Sequence, residues 1–258
     1  MTCNRGLAIT GFSVAAVFVK TLRRALRILS VTTTHPDFPI RYVVRPRARR
    51  VSLRIDAARR EAVAVLPHAR HKKRADKLIR DKADWLSGHL QTLPPPMPFE
   101  PGGQILLRGQ MVELAREAGR GPAREEEGAF IIPCPKGASF AGRTGRALIA
   151  LARESLTLQS HSHAQALDTK FTALTVRDTN SRWGSCSASG RLNFSWRLIC
   201  APMDVLDYVC AHEVAHLIEH NHGPQFWALV EKQVGHAKAP RRWLRENAST
   251  LFAVGAEK

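Results

Sequence analysis

His212-Glu213-Val214-Ala215-His216 restricts the fold more than any other stretch of this 258-residue chain. On an α-helix, side chains four positions apart share a face, so His212 and His216 can reach one Zn²⁺ while Glu213 stands beside the water held there. The flanking Val205, Leu206, Val209, Val214 and Leu217 recur at helical spacing. Pro202 followed by Asp204 supplies a helix start. The pentapeptide is therefore expected on a helix, with the donor set of a zinc-dependent hydrolase.

A catalytic zinc site uses three protein ligands and keeps one position open, so a third donor is required. His222 lies six residues after His216. On a continuous helix it would sit about 15 Å along the axis from His212, too far to share an ion. The helix must therefore end first, near Asn221, with Asn221, Gly223 and Pro224 as the break. The interval matches H-E-x-x-H-x-x-G-x-x-H, but Glu219 replaces that pattern's glycine and no methionine follows Met203 to make the accompanying turn. His222 is kept as the ligand and that class is set aside. Competing third ligands are His220 and Glu219, one turn past His216 on the same helix, and Glu231 or Glu246 from a following helix.

The surrounding residues carry a wider resemblance. The run Asn180-Ser181-Arg182-Trp183-Gly184-Ser185-Cys186-Ser187, then Gly190, Leu192, Phe194 and Trp196-Arg197-Leu198, leads through Ala201-Pro202 and Tyr208 to the histidine motif, Asn221-His222 and Phe226-Trp227. Over roughly residues 40–250 the chain resembles the YgjP-like metallopeptidase-domain family. That resemblance implies a small cytoplasmic zincin related to SprT-like proteins, with His212, His216 and His222 as ligands and Glu213 as general base. Gly223 departs from it, since the family usually has Ser there.

In such chemistry zinc lowers the pKa of its water toward about 7 and Glu213 takes the remaining proton. Tyr208, Arg182 and Arg197 are the nearest candidates for transition-state or substrate contacts. Tyr208 is equally suited to the core, and the arginines to pairing with Asp178, Asp204 or Asp207. Residues 171–176 and 190–198 alternate as two antiparallel strands around a loop over 184–190. Such a strand edge can present backbone to an extended peptide. Trp183 and Trp196 are expected to pack on the motif helix, and Cys186 to be a small buried side chain.

Five cysteines without a C-x-x-C pair fit a reducing compartment. The net charge of +17 is uneven: residues 1–90 hold 20 Lys/Arg against 6 Asp/Glu. Arg45-Pro46-Arg47-Ala48-Arg49-Arg50 and His71-Lys72-Lys73-Arg74 concentrate it, which suits an anionic partner such as nucleotide or nucleic acid, or a solvated face. The apolar stretch over 6–19 is too short for a comfortable membrane span, so no stable insertion is expected and the location reads as cytoplasmic.

Strands are expected over 51–55, 62–66, 105–114 and 129–132, with an acidic loop at Glu125-Glu126-Glu127. Helices are expected over 75–90, 144–160, 224–234 and 240–252. The fold class is α+β: an extension over 1–36, a basic β-rich subdomain over 37–135, and a zincin-like metal-binding subdomain over 136–258. The leading function is a zinc peptidase acting on peptides or exposed protein segments. A nucleotide phosphohydrolase of the nucleoside triphosphate pyrophosphatase type and a nucleic-acid-associated SprT-like protease are the alternatives.

Overall fold

The computed structural model describes residues 30–34, 37–179 and 182–257. These form two compact units that part at Gln91, with residues 56–60 belonging to the second. In the first unit, β1 (Ser30–Thr34), β2 (Pro39–Val44), β3 (Ser52–Asp56) and β4 (Glu61–Leu66) form a sheet in the order β1-β2-β4-β3. Every residue of β4 is buried, as its run Ala62-Val63-Ala64-Val65-Leu66 requires of an interior strand covered on both faces. Residues 30–34 are thus an edge strand rather than part of an extension, because they pair antiparallel with β2. The rest of the expected extension lies outside the described residues, apart from this strand.

The single helix expected over 75–90 is two: α1 (Lys72–Asp81) and α2 (Ala83–Gln91). Lys82 leaves helical geometry and its N–H closes the first helix on the Ile79 and Arg80 carbonyls. The break lets Ile79 and Leu86 both bury against Ile40, Ala64 and Leu66, while Trp85 remains 45% exposed. The Tyr42 hydroxyl donates to Asp76 Oδ1 at 2.7 Å and ties β2 to α1.

In the second unit, β5 (Gln104–Leu107), β6 (Gln110–Glu117), β7 (Arg124–Glu126) and β8 (Ala129–Pro133) make a sheet in the order β5-β6-β8-β7. The strand expected over 105–114 is a hairpin. Arg108 and Gly109 turn it at φ of 50° and 81°, the positive values that a tight hairpin turn requires. Its tip docks on the segment before the motif helix: the Arg108 and Gly109 N–H groups donate to the Ile199 and Cys200 carbonyls at 2.8 and 3.0 Å. The expected acidic loop is strand β7 with its turn at Glu127 and Gly128.

Ser139 caps α3 (Phe140–Ala166) by accepting from the Gly142 N–H at 3.1 Å. It packs Leu148, Ala152 and Leu156 into the same core as Ile105, Leu107, Leu114 and Ile132 of the second sheet. This shared core is why the units part at Gln91 rather than at the expected boundary of 135. A third sheet follows, of β9 (Ala173–Arg177), β10 (Gly184–Cys186) and β11 (Arg191–Ser195) in the order β10-β11-β9. The two strands expected to be antiparallel, β9 and β11, pair in parallel. Part of the intervening loop is itself the edge strand β10, antiparallel to β11, so the chain crosses over before returning.

A 3-10 turn over Trp196–Cys200 leads into α4 (Met203–Ala215), followed by α5 (Pro224–Val234) and α6 (Lys238–Ala253). Helix α4 buries Val205, Leu206, Val209, Cys210, Val214 and Ala215. Its apolar residues face neighbours around most of its circumference, so packing fixes its position: each such Val or Leu contributes about 1.5–3 kcal/mol. His163 of α3 meets Asp207 of α4 at 2.8 Å and links the two helices. Four described cysteines, Cys134, Cys186, Cys200 and Cys210, are free thiols. No described helix is long and apolar enough to cross a membrane.

Candidate metal centre

Helix α4 carries His212 and Glu213 and ends at Ala215, with His216 as its C-cap. It stops earlier than the expected break near Asn221. The last carbonyls are taken by a tightening turn: the Leu217, Ile218 and Glu219 N–H groups donate to Val214, Ala215 and Ala215 at 2.9, 3.1 and 3.0 Å. Neither Asn221 nor Gly223 is at positive φ. Gly223 instead caps the following helix in extended geometry, and Pro224 opens α5. The turn brings His222 back, placing its Nε2 3.1 Å from His212 Nε2.

One nitrogen from each of His212, His216 and His222 lies within 4.8 Å of the others. His216 Nδ1 is 3.0 Å from the Glu219 carbonyl. A hydrogen bond there places the proton on Nδ1 and leaves Nε2 free as a donor to an ion. Phe226 is fully buried beneath the trio, its ring centroid 4.8, 4.5 and 4.7 Å from those of His212, His216 and His222. Burial, with smaller effects from His216, His222 and Arg241, pushes His212 down to about 3; burial also lowers His216. Both rings are thereby held in the neutral form that metal ligation requires.

Glu213 is 6% exposed. Burial pushes its carboxyl up to about 7, opposed by a hydrogen bond from the Cys186 backbone and by the positive charge of Arg182. It lies against Gly184 of β10, where an added Cβ would be 2.5 Å from Oε1 and 2.6 Å from Cγ. Only a residue without a side chain permits that approach. Strand β10 therefore shapes the carboxylate's position from both Gly184 and Cys186.

The other sequence candidates separate in space. Tyr208 borders a cleft of about 500 Å³ together with Trp183, Gly184, His212, Glu213 and Arg241. Arg182 is exposed and acts on Glu213 through its charge. Arg197 is turned into the core, where it pairs with Asp178 and lies 4.4 Å over the Trp196 ring, so it is not presented to the cleft. Trp196 is 5% exposed, while Trp183 stacks on Phe252 at 5.1 Å and also borders the cleft. Cys186 is half-buried. His220, Glu231 and Glu246 are exposed and, like Glu219, stand outside the histidine group. Arg241, on α6, escaped sequence reasoning because nothing in its local pattern marks it as facing the motif helix.

A mixed α+β unit with three convergent imidazoles beside a buried carboxylate defines a candidate metal-dependent enzyme. The profile of the family described as "YgjP-like, metallopeptidase domain" matches residues 49–247, and the chain belongs to that family. No curated protein matches it significantly. Among solved structures it is similar to the metallopeptidase zymogen abylysin of Pyrococcus abyssi, at 17% identity over 35% of this chain and 93% of that one. The TM-score is 0.31, too low to bear on the architecture.

Proposed function

We propose that the chain is a zinc-dependent peptidase in which His212, His216 and His222 hold the ion and Glu213 is the general base. The observation that carries this reading is the convergence of three histidine nitrogens within 4.8 Å beside a buried carboxylate. The donors suit zinc, which favours imidazole and leaves a fourth position open when three protein ligands bind it. When bound, zinc supplies Lewis acidity, bringing the ionisation of water toward about pH 7 and polarising a substrate carbonyl.

The chain's own residues do the remaining work. Glu213 Oε accepts a proton from the attacking water and returns it to the leaving amide nitrogen, the transfer that a buried carboxylate next to the histidines can make. Tyr208 packs in the core at 5% exposure and borders the cleft, which makes it the candidate phenol for a substrate contact. The edge strand β10 offers backbone groups to an extended peptide, giving affinity with little dependence on sequence.

Purified protein is expected to cleave casein or short peptides, to lose that activity on chelation, and to regain it with zinc. Turnover of nucleoside triphosphates with no peptide cleavage would assign the site to phosphoanhydride chemistry instead. Gly184→Ala tests how Glu213 is positioned. The added methyl must displace the carboxylate, and misplacement by about 1 Å costs roughly 10²-fold in rate. That loss in kcat/KM, with zinc content unchanged, is the expected result; full activity in the variant removes the positioning role of Gly184.

A further inference from the structure

The cleft beside the three histidines has an uneven charge distribution. Glu213 is the only carboxylate among its described lining residues, whereas Arg241 and Arg245 both face it from α6. Arg245 has the carboxylate of Glu246 at 3.9 Å, a loose contact between exposed side chains. Arg241 forms no ion pair with any described residue. By contrast, the buried Arg197 is paired with Asp178, and Arg41 in the first unit meets Glu61 at 2.6 Å.

Arg241 is exposed, and its guanidinium rests on an aromatic ring. Its central carbon lies 5.0 Å over the Trp227 ring. That indole donates from Nε1 to the His222 carbonyl at 3.1 Å, and its centroid is 5.9 Å from those of both His212 and His222. Trp227 therefore fixes Arg241 and the third histidine to one platform. Stacking on an indole occupies a guanidinium's face and leaves its edge N–H groups free, in the fork that matches a carboxylate.

We propose that Arg241 recognises a carboxylate of the substrate, so that the cleft selects peptides carrying an acidic group beside the bond to be cut. This rests on the peptidase reading for its substrate class. Two groups supply the same chemistry: a free C-terminus, or an Asp or Glu side chain within the peptide.

The test is fluorescence anisotropy on zinc-loaded Glu213→Gln protein, which binds without turnover. Two pairs of labelled peptides are compared: one ending in a free carboxylate or its amide, the other amide-capped and carrying internal Asp or Asn. One pair is expected to show about a 10- to 100-fold preference for the acid, the range of a hydrogen bond to a charged group. Which pair responds identifies the source. Adding Arg241→Met should bring that ratio near one with zinc content unchanged. Arg241→Lys keeps the charge without the fork and should retain a reduced preference, which reads the same claim if the Met variant loses its zinc.

Equal affinities within both pairs, or a preference that survives Arg241→Met or is undiminished in Arg241→Lys, would overturn the assignment. Cleavage of the neutral peptides by wild-type protein is followed in parallel. Cleavage without acid preference removes the carboxylate site and leaves the peptidase; Arg241-dependent preference without cleavage removes the peptidase and leaves an anion site.

Discussion

Glu213→Gln is expected to keep its zinc and lose roughly 10²- to 10⁴-fold in kcat/KM on peptides, the range that a positioned general base supplies. Glutamine preserves the shape that fits against Gly184 and retains an oxygen for the Cys186 N–H, while removing the capacity to take a proton. The ion's histidines are untouched. Metal content by mass spectrometry and steady-state kinetics together check this outcome, and a zinc-loaded variant with full activity would remove Glu213 from the chemistry.

The same substitution has a stability consequence in metal-free protein. The folded-state pKa of Glu213 is raised from 4.5 to about 7, so its stabilising proton is fully present in both states below pH 4.5 and is lost as pH rises through 7. Wild type should therefore lose stability relative to Glu213→Gln across that window, by about 3 kcal/mol. His212 acts oppositely: its depressed value of about 3 favours folding as pH rises toward 6.5. Comparing the two proteins by denaturant unfolding at several pH values cancels the histidine and isolates the glutamate.

His222→Ala should weaken zinc binding by more than about 10²-fold, exceeding the 10- to 100-fold cost typical of outer-shell partners. The side chain is exposed, and the indole N–H of Trp227 bonds the backbone carbonyl that the substitution preserves. Metal-free stability should accordingly stay within about 0.5 kcal/mol of wild type, as for most surface changes. Competitive titration against a chromophoric chelator measures the affinity, and calorimetry the stability. Glu231→Gln and Glu246→Gln, both exposed and outside the histidine group, should leave zinc affinity unchanged.

The motif helix and the return of His222 were legible because both follow from local geometry: four-residue spacing puts two histidines on one face, and helical rise forbids the third unless the chain turns. The position of the stop is not legible in the same way. Asn221, Gly223 and Pro224 punctuate the entry to the next helix, whereas the exit from α4 uses ordinary residues whose N–H groups tighten onto the last turn. Strand content was visible in the alternation of residues 171–176 and 190–198, but their parallel pairing was not, since alternation is the same for either direction. Gly184 could be seen as part of a recurring run, yet its contact with Glu213 depends on packing between β10 and α4. Arg241 lies beyond local inference altogether, because a basic residue on an amphipathic helix ordinarily faces water.

An anomalous difference map at the zinc edge, from crystals of zinc-loaded protein, tests the centre most directly. The expected result is a single peak about 2.0–2.1 Å from Nε2 of His212, His216 and His222, with no fourth protein ligand. A peak that replaces His222 with Glu219, Glu231 or Glu246, or zinc bound anywhere except this trio, would contradict it.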